Sequence, residues 1–248
     1  MASPLAQTIS LSATGDHCAF AAQRIQALQA DGAVFGADWP WYELLIRPDS
    51  ACFNGSPAGF VECLYLHRPP SVTDVEVLER AGYWLAERAG PTRISVNAHP
   101  ESFIAPYFVD TVTRMHKLLG EQGHSLCLEL IEFADCSNRS RLIEHARLLR
   151  QRGVLIALDD FGSRMNCFDL CAAGVVDIVK IDGRVISGFD SRSHQRAVVD
   201  CLTTLADRLG GVVVAEGVER PQELQLLKDL GVGYAQGYLV HEPEIMEI

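Results

Sequence analysis

The stretch Ile156–Phe168, IALDDFGSRMNCF, runs three apolar residues into two adjacent carboxylates, Asp159 and Asp160, and then a glycine. Similar transitions recur along the chain, where apolar runs end on Glu43, Asn97, Glu129, Lys180, Glu216 and Gln236. A single polar residue at a strand end is ordinary, because strand ends meet solvent. A succession of runs that all end on carboxylate, amide or ammonium implies that these groups converge. Carboxylates with one amide oxygen make a hard, oxygen-only ligand field, suited to Mg2+ or Mn2+ rather than zinc. Adjacent acids on one strand end can serve two ions about 4 Å apart, the arrangement that clamps the attacking and leaving oxygens in displacement at phosphorus. Lys180 among the acids has two readings: it can hold a metal-bound water and offset charge developing on a phosphate, or close a salt bridge across the site. None of the eight histidines sits at HxxH or HExxH spacing, so histidine adds no second metal motif.

The elements that position these groups follow from periodicity. Strand-like runs are WYELLIR (41–47), TRISVNA (92–98), LCLELIE (126–132), VLIALDDF (154–161), DIVKIDG (177–183), GVVVAEGV (211–218) and YAQGYLV (234–240), with a weaker eighth, AVFGAD (33–38). Amphipathic segments alternate with them. Residues 73–88 open with a capping box, Thr73 and Glu76, and carry Val75, Leu78 and Leu85 on one side. Leu142, Ala146 and Leu149 share a helical face, as do Val198, Cys201, Leu202, Leu205 and Leu209. Strands alternating with helices imply a mostly parallel sheet. Eight strands in 248 residues favour an α/β fold of the closed (β/α)8 barrel type over an open sheet. The chain therefore reads as a flexible N-terminal arm, 1–17, and a single barrel domain, 18–248. In such a barrel the strand ends that carry the polar residues share one face.

Composition narrows the partners. A net charge of −11 argues against a duplex nucleic-acid binder, but bound divalent cations can reverse the local field for an anionic substrate. No apolar run approaches ~18 residues, so no membrane-spanning helix is expected. MASPLAQTIS lacks the basic start and apolar block of a signal peptide. The eight cysteines form no CxxC pair, which fits a reducing, cytoplasmic setting.

Taken in order, ELLIR (43–47), SVN (95–97), LELIE (128–132), LDDFG (158–162), VDIVKID (176–182), VVAEGVE (213–219) and QGYL (236–239) resemble the motifs of the EAL domain family of cyclic di-GMP phosphodiesterases, over roughly residues 20–245. The resemblance implies that Glu43, Asn97, Glu129, Asp159, Asp160 and Glu216 hold two divalent ions, Mg2+ or Mn2+, with Ca2+ inhibitory. It implies that Lys180 assists the attacking water and that Gln236 positions it. Leu45, Arg47, Asp182, Glu219 and Gln236 would line the substrate site, with Arg47 on a phosphate. Glu132 would anchor the loop after DDFG. The reaction would open one phosphodiester of cyclic di-GMP to give linear pGpG, and a homodimer or a regulatory protein is the further partner class.

Several departures accompany the match. Leu44 replaces the alanine of the family's Glu-Ala-Leu, at a position expected to point away from the pocket. AVFGADWPWYE offers no equivalent of the family's Tyr-Gln-Pro-Ile first strand. Ser163, Arg164, Met165, Asn166 and Cys167 replace a Thr-Gly-x-Ser-Ser loop, and LYLHRPPSVTD replaces an acidic helix. A supporting shell of this kind can change rates by ~10–100-fold. The chain accordingly reads as a phosphodiesterase, slow or partner-gated. The alternatives are a receptor that binds cyclic di-GMP without cleaving it, and a protein-interaction module built on the same scaffold.

Overall fold

The computed structural model describes residues 18–29, 39–48, 53–131, 136–161 and 167–246. Strand β1 (Cys18–Ala27) pairs antiparallel with β2 (Trp41–Pro48), from Cys18↔Pro48 to Ile25↔Trp41. Parallel to β2 follow β3 (Arg93–Ala98), β4 (Ser125–Leu130), β5 (Leu155–Phe161), β6 (Ile178–Ile181), β7 (Val212–Ala215) and β8 (Tyr234–Ala235). β8 then meets β1 antiparallel through Gln26↔Ala235 and Ala27↔Tyr234, so these eight strands close on themselves. A short β9 (Glu244–Met246) adds to β1 at Phe20–Ala22. The expected barrel is present, with seven parallel strands and one reversed.

The reversed strand corrects the sequence reading. AVFGAD lies outside the described residues, as does the arm 1–17, and the eighth barrel position is filled by Cys18–Ala27. That segment, CAFAAQRIQA, is rich in alanine and enters the sheet backwards.

Helices cover the strands: α1 (Pro57–His67), α2 (Pro70–Ala86), α3 (Pro100–Phe103), α4 (Pro106–Glu121), α5 (Arg139–Gln151), α6 (Phe168–Ala172), α7 (Gly183–Ile186), α8 (Ser193–Arg208) and α9 (Pro221–Asp229). Proline opens α1, α2, α3, α4 and α9, where its missing N–H leaves no bond unmade. Because Pro70 starts α2 early, Thr73 is buried inside the first turn instead of capping it, and Glu76 pairs with Arg68. On α5, Leu142, Ala146 and Leu149 are buried as expected. On α8 the buried face is Val199, Leu202 and Ala206, while Val198 and Leu209 are each 44% exposed. Leu202 is buried as expected, and packing sets Val199 and Ala206 beside it in place of Val198 and Leu209.

The barrel interior is built in layers. Its floor is an apolar cluster of Ile25, Trp41, Cys127, Ala157, Ile178, Val212, Val214 and Tyr234, distinct from the larger core between strands and helices. The Trp41 ring stands edge-on to Tyr234 at 5.0 Å, and its Nε1 donates to Ser95 Oγ at 2.9 Å. Side chains alternate along a strand with period two. Two residues beyond the floor, the next inward position is therefore Glu43 after Trp41, Asn97 after Ser95, Glu129 after Cys127 and Asp159 after Ala157. Likewise Lys180 follows Ile178, Glu216 follows Val214 and Gln236 follows Tyr234. On the reversed β1 the same layer is reached two residues before Ile25, at Gln23. A dry floor thus carries a polar ring.

Trp41→Ala should remove the largest piece of that floor and cost about 3–5 kcal/mol of unfolding free energy. Urea denaturation measures it, and a loss below about 1 kcal/mol would show that the floor is not packed as described.

Candidate active site at the barrel mouth

Lys180 stands at the centre of the polar ring. Its side chain is 1% exposed, and Nζ lies 3.1 Å from Glu43 Oε2, 2.9 Å from Asp159 Oδ1 and 2.8 Å from Glu216 Oε1, with Glu129 Oε2 as a fourth, close partner. Burial works against the ammonium, but the four carboxylates, Asp159 foremost, hold its pKa well above the usual lysine value. The acids divide. Burial, reinforced by the charge of Glu43, pushes Glu129 up to about 8. Burial also raises Asp159 and Glu216, with Lys180 opposing. Glu43 goes the other way: burial would raise it, but the Lys180 charge and donors from Gln236 and Asn97 hold it below the ordinary carboxylate range.

Amides complete the ring. Asn97 Nδ2 donates to Glu43 Oε1 at 2.8 Å, and Gln236 Nε2 donates to Glu43 Oε2 at 2.7 Å. Gln236 Nε2 also reaches Gln23 Oε1 at 3.0 Å, while Gln23 Nε2 donates to the His241 carbonyl at 3.0 Å. Gln23 was missed in the sequence because its strand was missed; its polar residue precedes the apolar one, the reverse of the pattern on the other seven. Gln236 is held by its own backbone, N–H to Ala215 and carbonyl to Val218 N–H. The following Gly237 sits at φ 155°, where an added Cβ would fall 2.3 Å from the Val218 backbone, so no side chain fits there. Two buried acceptors, Glu129 Oε1 and Gln236 Oε1, have no donor among the described residues.

The adjacent acids on β5 should alternate to opposite faces, yet Asp159 and Asp160 line the same cavity. A bulge makes this happen: Leu158 pairs with Val179 but Phe161 with Ile181, leaving one extra residue on β5. Asp160 takes up the bend at φ 54°, a left-handed conformation that non-glycine residues seldom adopt. Half-buried, it is pushed up to about 6 by burial and then by the Asp159 charge.

Two cavities flank Glu43. One, of about 350 Å3, is lined by Gln23, Glu43, Glu216, Glu219, Gln236 and Tyr238 among others. The second, about 260 Å3, includes Glu43, Leu45, Arg47, Asn97, Asp159 and Asp160. Of the substrate-lining residues expected from sequence, Leu45, Arg47, Glu219 and Gln236 therefore reach a cavity. Asp182 lines neither. It caps α7 by accepting from Arg184 N–H at 2.6 Å and pairs with the Arg184 guanidinium. Glu132 and residues 163–166 of the altered loop lie outside the described residues, while Cys167 is buried at the start of α6.

The second cavity also holds an acid that the sequence did not single out. Asp74, on α2, is 1% exposed and accepts from Tyr65 Oη at 2.7 Å, His99 N–H at 2.8 Å and Ser102 Oγ at 2.6 Å. It ties α1 and α2 to the turn that follows Asn97. Burial raises its pKa to about 7, against the pull of those three donors. The remodelled LYLHRPPSVTD stretch supplies both Tyr65 and Asp74.

A family model described as the EAL domain matches residues 56–243. The chain is 29% identical over 206 residues to the cyclic di-GMP phosphodiesterase PdeB of Shewanella oneidensis, covering 82% of the chain and 24% of that protein. It is 33% identical over 175 residues to the probable cyclic di-GMP phosphodiesterase PdeA of Escherichia coli, covering 69% of the chain and 24% of that protein. The chain thus spans about a quarter of the length of these relatives. In fold it is similar to the EAL domain of FimX from Pseudomonas aeruginosa, solved bound to c-di-GMP: TM-score 0.79, 19% identity, 98% of this chain and 97% of that one covered.

Asp74 yields a pH signature. Its folded pKa of about 7 lies above the unfolded value near 3.8, so between these the folded state binds more protons than the unfolded one. The stabilising contribution is complete below the lower value and is lost as pH rises through the upper. The fall in unfolding free energy from about pH 5 to about pH 8 should be smaller in Asp74→Asn than in wild type. Equal slopes in urea titrations would show that Asp74 titrates normally.

Proposed function

The chain belongs to the EAL domain family, and we propose that it is a phosphodiesterase that opens one phosphodiester of cyclic di-GMP to give linear pGpG. The observation that carries this reading is the single inward layer that holds Glu43, Asn97, Glu129, Asp159, Lys180, Glu216 and Gln236, with Asp160 brought alongside by the bulge. The two cavities meeting at Glu43 suit a substrate with two equivalent halves.

Among the described residues no group of His, Cys, Asp and Glu is spaced to hold a metal ion as it stands, because the carboxylates converge on Lys180. The donor set nevertheless fits hard cations: its atoms are all oxygen, and buried Glu129 Oε1 and Gln236 Oε1 have no donor among the described residues. Glu43, Asn97, Glu129, Asp159, Asp160 and Glu216 would hold two ions, Mg2+ or Mn2+. When bound, such ions supply Lewis acidity at the phosphate and an activated water. A chain of net charge −11 needs such positive charge to accept a diester with two phosphates. Ca2+, which takes more ligands at longer distances, would occupy the site without the productive geometry. Lys180 would assist the attacking water and offset charge on the phosphate, Gln236 would orient the water through its carbonyl, and Arg47 would bind a phosphate at the second cavity. Cys63, Cys127, Cys136, Cys167, Cys171 and Cys201 form no disulfide among the described residues, in keeping with a reducing, cytoplasmic setting.

One observation favours a second reading, a receptor that binds the nucleotide without cleaving it: one of the departures, Ser163–Cys167, follows directly on the β5 acids. The glutamine that β1 supplies to the ring, Gln23, is a feature that reading does not call for. Calorimetry with cyclic di-GMP in Ca2+, followed by chromatography of products in Mg2+, separates binding from cleavage.

Asp159→Asn keeps the size of the side chain but removes the charge that two cations would share. Turnover with Mn2+, read as pGpG by chromatography, should fall below about a tenth of wild type. Activity above that level would sink the two-metal assignment.

A further inference from the structure

Lys180 has more acceptors than it can serve. An ammonium carries three N–H donors, and four carboxylates, buried Glu43 and Glu129 and half-buried Asp159 and Glu216, press on it from β2, β4, β5 and the end of β7. Glu43, Asp159 and Glu216 lie at 2.8–3.1 Å, Glu129 is closer still, and yet Glu129 Oε1 has no donor among the described residues. A salt bridge selected only for stability would match charges. This one leaves the acids in excess, in the one layer whose donors fit hard cations. The same oxygens cannot surround Lys180 Nζ and a divalent ion together.

On the metal-dependent reading above, we propose that Lys180 is the built-in counter-cation of the site: it holds the four acids together and competes with the first divalent ion for them. Loading then requires Nζ to withdraw. The cavity over Glu43, Glu216 and Gln236 gives it room, and the withdrawn ammonium stays at the mouth where a phosphate is bound. Lys180 is in this sense a positioning residue whose effect reaches the metal before it reaches the substrate.

The test compares the whole chain with its Lys180→Gln variant by Mn2+ calorimetry and by thermal melting, in chelator and in Mn2+. In chelator the variant should melt below wild type, since its acids lose their only buried cation in the ring. Mn2+ should restore it to the wild-type range, and its apparent Kd should be tighter by about 10-fold, as expected where two ligands of one site exclude each other. Equal Mn2+ affinity in the two proteins overturns the proposal, as does a loss of stability that Mn2+ leaves in place. If the variant is obtainable only with Mn2+ present, its unfolding is followed after rapid chelation; a rate no faster than wild type is again the contrary result. Failure of both proteins to take up Mn2+ would instead remove the metal-dependent reading itself, and this inference with it.

Discussion

Four carboxylates share one buried ammonium at the mouth of this barrel, and most of the surrounding structure is arranged around that imbalance. Burying an ionised carboxylate is costly unless hydrogen bonds and opposite charge replace its water. Glu43 shows the compensation at its fullest, with Lys180, Asn97 and Gln236 all directed at it, and it is the acid of the ring held below its ordinary pKa. Glu129 shows it at its weakest, pushed up to about 8 with one oxygen unpartnered among the described residues. The dry floor of Trp41 and Tyr234 beneath the ring lowers the local dielectric and so sharpens both effects.

The barrel and the polar ring at its mouth were largely legible because the signals were regular. Six of the seven parallel strands place an apolar residue below and a polar one above, two positions further on, with Ser95 below Asn97 on the seventh, and a period-two reading finds Glu43, Asn97, Glu129, Asp159, Lys180, Glu216 and Gln236 directly. Gln23 escaped because β1 runs against the others, so its polar residue comes first, and because CAFAAQRIQA has too many alanines to declare a strand. Its fit depends on partners far away in sequence. Asp74 escaped for a related reason: an acid in a stretch that opens with consecutive prolines looks like a surface residue until Tyr65, His99 and Ser102 are seen to enclose it. On α8 the expected face shares Leu202 with the buried one but not Val199 or Ala206, since only tertiary packing distinguishes Val199 from Val198.

At Asp159-Asp160 a local rule is broken to serve the site. Regular alternation would send one acid outward. The bulge between Leu158 and Phe161 and the left-handed Asp160 bring both to one cavity, at the cost of a strained backbone that the rest of β5 must hold in place.

The Gln23–Gln236 hydrogen bond joins residues 213 apart in the chain, and Lys180 reaches Glu43 across 137. Contacts of such separation carry the loop-closure entropy of almost the entire polypeptide and belong to the slow end of folding. No contiguous fragment of the barrel contains the complete ring: the central strands alone would carry Glu129, Asp159 and Lys180 but neither Glu43 nor Gln236. The chemistry therefore comes into being only when the first strand meets the last. Any ligand seated at the mouth draws its affinity from that closure and returns it to the whole ring, so that occupancy of a few side chains is felt as the stability of the entire chain.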